Sequence, residues 1–170
     1  MAAHPHRRDP APTQRFWPKD EARFRALLQD AGTGPLNYVA LLGLDVVDFP
    51  TVLEAIDRGL PYRVFDQLLA NTGLDYEELV ALVGIPRRTL TRRKQAGRFD
   101  PIESDRLLRA ARVFRAALAL TGDDREAAVE WLRSRPLALG GAVPLHLART
   151  EVGARQVETL IGQLEHGVFP

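Results

Sequence analysis

Residues 75–94, DYEELVALVGIPRRTLTRRK, hold two short apolar-periodic segments hinged on a glycine. Asp75 stands where a helix N-cap is wanted, and Glu78 follows three residues on, in capping-box position. Leu79, Leu82 and Val83 then fall on one face, and Gly84 stops the helix. Pro86 opens a second helix, for which Ile85 and Leu90 are the inward anchors. Two short helices about so sharp a turn have helix–turn–helix spacing, which predicts that motif over about 75–96. Two positions depart from the usual pattern. Val80 stands where alanine is preferred for close crossing, and Arg93 where an apolar residue is common. Arg93 is expected to lay its methylenes on the core and send its charge outward.

From Leu79 to Phe99 there is no acidic residue, yet Arg87, Arg88, Arg92, Arg93, Lys94 and Arg98 all lie there. With Leu90 inward, Arg87, Arg88, Thr91, Arg92 and Lys94 are left around the other side. A helix in that posture can enter a major groove, where arginine reads guanine and the other cations meet phosphates. Arg87, Arg88, Thr91, Arg92, Arg93 and Lys94 are therefore the candidate DNA-binding residues. The competing account of the same charges is a solvated amphipathic helix.

Outward from this stretch the helical period recurs and strand alternation is almost missing. Phe24, Leu27, Leu28 and Ala31 form a stripe before Gly32, and PLNYVALLGL follows. Asp48 caps a helix to Arg58, and Pro61 opens one that carries Val64, Phe65, Leu68 and Leu69. Asp100 caps a long helix from Pro101 to about Leu120. Beyond TGDD come a helix with Ala127, Ala128, Trp131 and Leu132, a short helix with Leu145 and Leu147, and a last one capped by Thr150. The chain reads as all-α. Residues 1–19 are expected to be a flexible leader and 20–99 a helical N-terminal region. Residues 100–170 are expected to be a C-terminal unit sharing the long helix. The N-terminal helices serve either as a dimer contact or as packing around the motif.

Composition narrows the function. Of 170 residues, 45% are hydrophobic and 26% charged, an ordinary globular balance. The net charge of +1 means that nucleic-acid affinity must come from local clustering. The absence of cysteine excludes disulfides, thiolate metal sites and cysteine nucleophiles. No apolar run approaches the roughly 18–20 residues that cross a bilayer, and the start lacks a secretory core. A cytoplasmic location follows as the expectation. No phosphate loop, metal-ligand cluster or nucleophile elbow is present, so no catalytic residue, metal or cofactor is assigned. The paired carboxylates are accounted for by capping and solubility.

From Gly59 onward the chain resembles the Xre/MbcA/ParS-type antitoxins of RES–Xre toxin–antitoxin modules. The matching stretches are RGLPYRVFDQLL, LVGIPRRTLTRRKQAGRFDPIESDRLLRAARVFRAALAL, AAVEWL, LGGAVPLHLARTEVGARQV and EHGVFP, in order over roughly two-thirds of the sequence. The resemblance implies an Xre/Cro-like helix–turn–helix domain fused to a small helical toxin-binding domain. It also implies repression of the module's own promoter and neutralisation of a RES-domain toxin, whose family depletes NAD. Toxin contact would fall on Gly140, Gly141, Pro144, Leu145, Thr150, Gly153, Glu165, His166, Gly167, Val168, Phe169 and Pro170. Most of these also have local roles. Gly140 and Gly141 give backbone freedom, Pro144 helps set the entry to a helix, Thr150 caps one, and Gly153 permits close packing.

His166 is either an inhibitory contact or a cation at the carbonyl end of its helix. Val168, Phe169 and Pro170 follow the stop at Gly167, as a plug for a partner's cleft or as a tail folded onto its own core. The alternative function is a dimeric helix–turn–helix repressor that meets no toxin. Reading palindromic half-sites requires at least a dimer.

Overall fold

The computed structural model describes residues 21–45 and 48–168. The expected leader, and Phe169 and Pro170 of the tail, lie outside the described residues. The helices are α1 (Glu21–Ala31), α2 (Phe49–Arg58), α3 (Arg63–Thr72), α4 (Tyr76–Val83), α5 (Arg87–Ala96), α6 (Pro101–Leu120), α7 (Arg125–Arg133), α8 (Pro144–Leu147) and α9 (Glu151–Glu165). Two 3-10 turns, Asn37–Leu42 and Leu137–Leu139, intervene. The all-α expectation holds, and no strand forms among the described residues.

Local chemistry starts these helices. Asp48, Asp75, Asp100, Asp124 and Thr150 each accept a hydrogen bond from the amide three residues on. Such a cap typically contributes about 1 kcal/mol. At Asp75 and Asp100 the return bond from Glu78 and Glu103 completes a capping box.

The long helix α6 is the spine. Leu107, Leu108, Ala110, Ala111, Val113, Phe114, Ala117 and Leu118 are buried along it. Val39, Leu41 and Leu42 of the first 3-10 turn share its core, as do Ala128 and Leu132 of α7 and Ala154, Val157 and Ile161 of α9. Phe24 of α1 belongs to the same cluster, and α1 packs on the 3-10 turn Asn37–Leu42. Buried Asn71 of α3 donates to the Leu41 carbonyl at 2.9 Å, which fixes that turn.

One long-range feature positions α5. The Tyr62 amide donates to the Gly97 carbonyl (2.9 Å) and the Phe99 amide to the Leu60 carbonyl (2.8 Å). The Tyr62 and Phe99 rings stack beside this pairing, 5.4 Å between centroids. Ser104 of α6 accepts from the Leu60 amide at 2.8 Å. The end of the basic helix is thereby clamped to the start of α3.

Candidate functional site

Leu90 is fully buried and Ile85 nearly so, which turns the opposite face of α5 to solvent. No side chain caps the start of α5 at Pro86, so the first amides of the helix stay available beside Arg88. Arg88 and Arg92, one turn apart, are exposed and make no hydrogen bond or ion pair among the described residues. Thr91 is exposed between them, and its hydroxyl donates to the Arg87 carbonyl at 3.1 Å. Lys94 is exposed with its ammonium 5.9 Å from the centre of the Tyr62 ring.

The other two cations are engaged. Arg87 pairs with Glu77 of α4 and lies over the Tyr76 ring. Arg93 corrects the expectation set for it. Its guanidinium is not sent outward but turned back to Asp100 at 2.6 Å and Glu103 at 2.5 Å. The contact with Glu103 raises its pKa further, against the cost of burial. Arg93 thus ties α5 to the capping box of α6, and a guanidinium committed to two carboxylates has little left to offer a phosphate.

In the C-terminal unit the structure divides the candidates. Pro144 and Leu145 are buried, Leu145 at 2% exposure, so their side chains serve the core and present no surface to a partner. Gly153 is also buried, and a Cβ there would run into the Leu147 carbonyl. Thr150 accepts from the Gly153 amide at 3.1 Å as the cap of α9. Gly140 and Gly141 both adopt positive φ, and Arg135 donates to the Gly141 carbonyl at 3.3 Å. Glu165 and His166 are exposed at the end of α9, where the His166 amide donates to the Gly162 carbonyl. Val168 is 58% exposed, and its amide donates to the Gln163 carbonyl at 2.8 Å. It does not fold back onto the core.

Two family models match this arrangement. Residues 51–112 match an antitoxin Xre-like helix-turn-helix domain. Residues 116–167 match an antitoxin Xre/MbcA/ParS C-terminal toxin-binding domain. A protein named Antitoxin Xre from Yersinia enterocolitica is 39% identical over 129 residues, which cover 75% of this chain and 87% of that protein. A second Antitoxin Xre, from Photorhabdus laumondii, is 31% identical over 120 residues, covering 70% and 81%. The chain belongs to the Xre antitoxin family.

The two matched regions of this Xre-family chain meet inside α6, and side chains spaced far apart in sequence lock them together. Buried Arg109 donates to the Ala148 and Arg149 carbonyls, at 3.1 and 2.6 Å, closing the end of α8. Arg112 reaches Glu158 (2.7 Å) and Glu151 (3.2 Å) on α9. Arg106 donates to the carbonyl of Gly84, the turn glycine, at 2.9 Å. Gly84 itself has φ +65, and a Cβ there would stand 3.2 Å from the Arg149 carbonyl. Arg133 of α7 makes a two-pronged bond to Glu78, which at the same time closes the capping box of α4. Val80, placed where alanine is usual, lines a cavity of about 830 Å³ between α4 and α8. None of these partners is adjacent in sequence, so no local signal announces them.

Among the described residues, no helix is long and apolar enough to cross a membrane. No cluster of three or more His, Asp or Glu able to hold a metal lies among them either.

The Glu78–Arg133 pair has a pH signature. Hydrogen bonds from Arg133, opposed by partial burial, hold the Glu78 carboxyl below its usual range. A carboxyl depressed in the folded state contributes stability above its unfolded value, about 4.3, and loses it as pH falls through the folded value. Glu78→Gln keeps a capping acceptor and removes the charge. At pH 7 the variant should be less stable by about 1 kcal/mol, the scale of a well-aligned partly exposed ion pair. The gap should close below about pH 4, as read from urea midpoints across pH.

Proposed function

We propose that this chain neutralises a RES-domain toxin that depletes NAD, and represses its own operon by binding operator DNA through α5. In this reading it acts in the cytoplasm as a dimer or higher assembly, because palindromic half-sites need two copies of α5. The 100–170 unit holds the toxin, and the end of α9 with residues 165–170 occludes the toxin's active site. The observation that carries the reading is a pair of exposed features, one in each matched region or at its edge. Unpaired Arg88 and Arg92 face outward from a helix anchored by Leu90, while Val168 stands exposed beyond α9, directly after the toxin-binding match that ends at residue 167. An apolar residue left in solvent beside a helix end suits a cleft on another protein.

Deleting residues 167–170 tests the occlusion. The shortened chain should keep its melting temperature and operator affinity but no longer protect cells that co-express the toxin. Full protection by the shortened chain would remove the tail from the mechanism. Loss of folding would assign the tail to packing instead.

A further inference from the structure

The cavity of about 830 Å³ beside the α4–α5 turn carries charge of one sign. Arg135, His146 and Arg149 of the C-terminal unit line it, all three are exposed, and no carboxylate joins them. The Arg149 guanidinium has no partner among the described residues, and that of Arg135 donates only to the Gly141 carbonyl, at 3.3 Å. Nearby arginines are balanced, Arg133 by Glu78, Arg155 by Glu151, and Arg112 by Glu151 and Glu158. Val80, Ala81, Val143 and Leu147 supply apolar walls. A cleft of one sign with such walls focuses its field and concentrates anions.

The fold holds this cleft against the helix–turn–helix. The Arg149 carbonyl accepts from Arg109 at 2.6 Å, and the Gly84 carbonyl accepts from Arg106 at 2.9 Å. A Cβ at Gly84 would stand 3.6 Å from that of Arg149, so the root of the Arg149 side chain rests on the turn. Both anchoring arginines belong to α6, which therefore fixes Arg149 beside the start of α5. Pro86 also lines the cleft, two residues ahead of unpaired Arg88, and α5 begins there without a side-chain cap.

We propose that Arg135 and Arg149 form a second DNA contact, holding backbone phosphates beside the place where α5 enters the groove. The inference rests on the reading that α5 binds operator DNA, and it carries that surface into the C-terminal unit. The occupant is a nucleic-acid backbone because the cleft has cations without counter-charges and runs on through Pro86 to Arg88. A guanidinium donates to phosphate oxygens in charge-assisted bonds. Contacts of this kind set register and carry no base information directly, so they strengthen operator and random duplex alike.

Arg135→Ala, Arg149→Ala and the double substitution in the full chain test this, with Arg149→Lys as the charge-keeping control. Fluorescence anisotropy across salt reads binding to a duplex of the chain's own promoter and to a random duplex. Thermal melting and co-purification with the RES-domain protein of the same operon are measured alongside. Each alanine variant should weaken both duplexes several-fold, keep the ratio between them and lower the salt slope by about one. Melting should change little, because neither guanidinium pairs with a carboxylate. Arg149→Lys should restore the slope, since a point charge suffices for a phosphate. Parental affinity and slope in the double variant overturn the inference. So does unchanged DNA binding with loss of the toxin, which gives the cleft to a protein. If Arg88→Ala with Arg92→Ala weakens operator binding and the cleft variants do not, the cleft contact alone is removed. If the unsubstituted chain binds neither duplex, this contact and the reading of α5 fall together.

Discussion

Replacing Arg88 and Arg92 together with alanine is expected to erase operator recognition and leave the fold intact. Both side chains are exposed and unpaired, so their removal should change stability by no more than about 0.5 kcal/mol. Each should cost on the order of 1–3 kcal/mol of binding if it reads a base, about fivefold to 150-fold in affinity. Fluorescence anisotropy on specific and random duplexes across salt separates the roles. A base reader loses specificity, whereas a phosphate contact weakens both duplexes equally and lowers the salt slope by about one. Arg93→Ala supplies the contrast. It should lower the melting temperature by freeing α5 from Asp100 and Glu103, with a smaller effect on specificity. Equal binding by the double variant and the parent would show that α5 does not touch the operator.

Gly153→Val should produce the largest loss of stability, and Gly162→Ala in the same helix should produce a gain. At 153 the added carbon meets the backbone carbonyl of Leu147, which no rotamer change can move, so α8 and α9 must separate. Overpacking of this kind costs about 3 kcal/mol or more, roughly 6–12 °C in melting temperature for a chain of this size. At 162 a methyl meets nothing within 4 Å outside the helix's own neighbouring backbone. There the gain in helix propensity should be worth up to about 1 kcal/mol. Differential scanning calorimetry of the two variants reads both signs. A neutral Gly153→Val would mean that the α8–α9 corner yields.

The helices were legible because their signals are local. Asp48, Asp75, Asp100 and Thr150 announce their helices through a neighbour three residues away, and the apolar period does the rest. Pairing across the fold was not legible. Arg93 reads as one more cation in an acid-free run, since its carboxylates lie beyond the turn at Gly97. Arg133, Arg109 and Arg112 read as polar-face residues, and their partners lie 39 to 55 residues away. Resemblance placed Pro144 and Leu145 among contacts because it transfers positions, whereas exposure depends on which way each side chain turns. Apolar spacing marks a helix face without saying whether that face will be covered.

Because α6 packs against the N-terminal core along one side and against α7 and α9 along another, the halves of this protein are not interchangeable parts. Exchanging residues 116–167 with a relative's would separate Glu151 and Glu158 from Arg112, and the Ala148 and Arg149 carbonyls from Arg109. A viable graft has to carry the matching turns of α6 with it. In a lineage where a chain of this architecture acquires a new toxin, the middle of α6 should therefore drift in step with α9, while Arg88 and Arg92, which pair with nothing among the described residues, are free of that constraint.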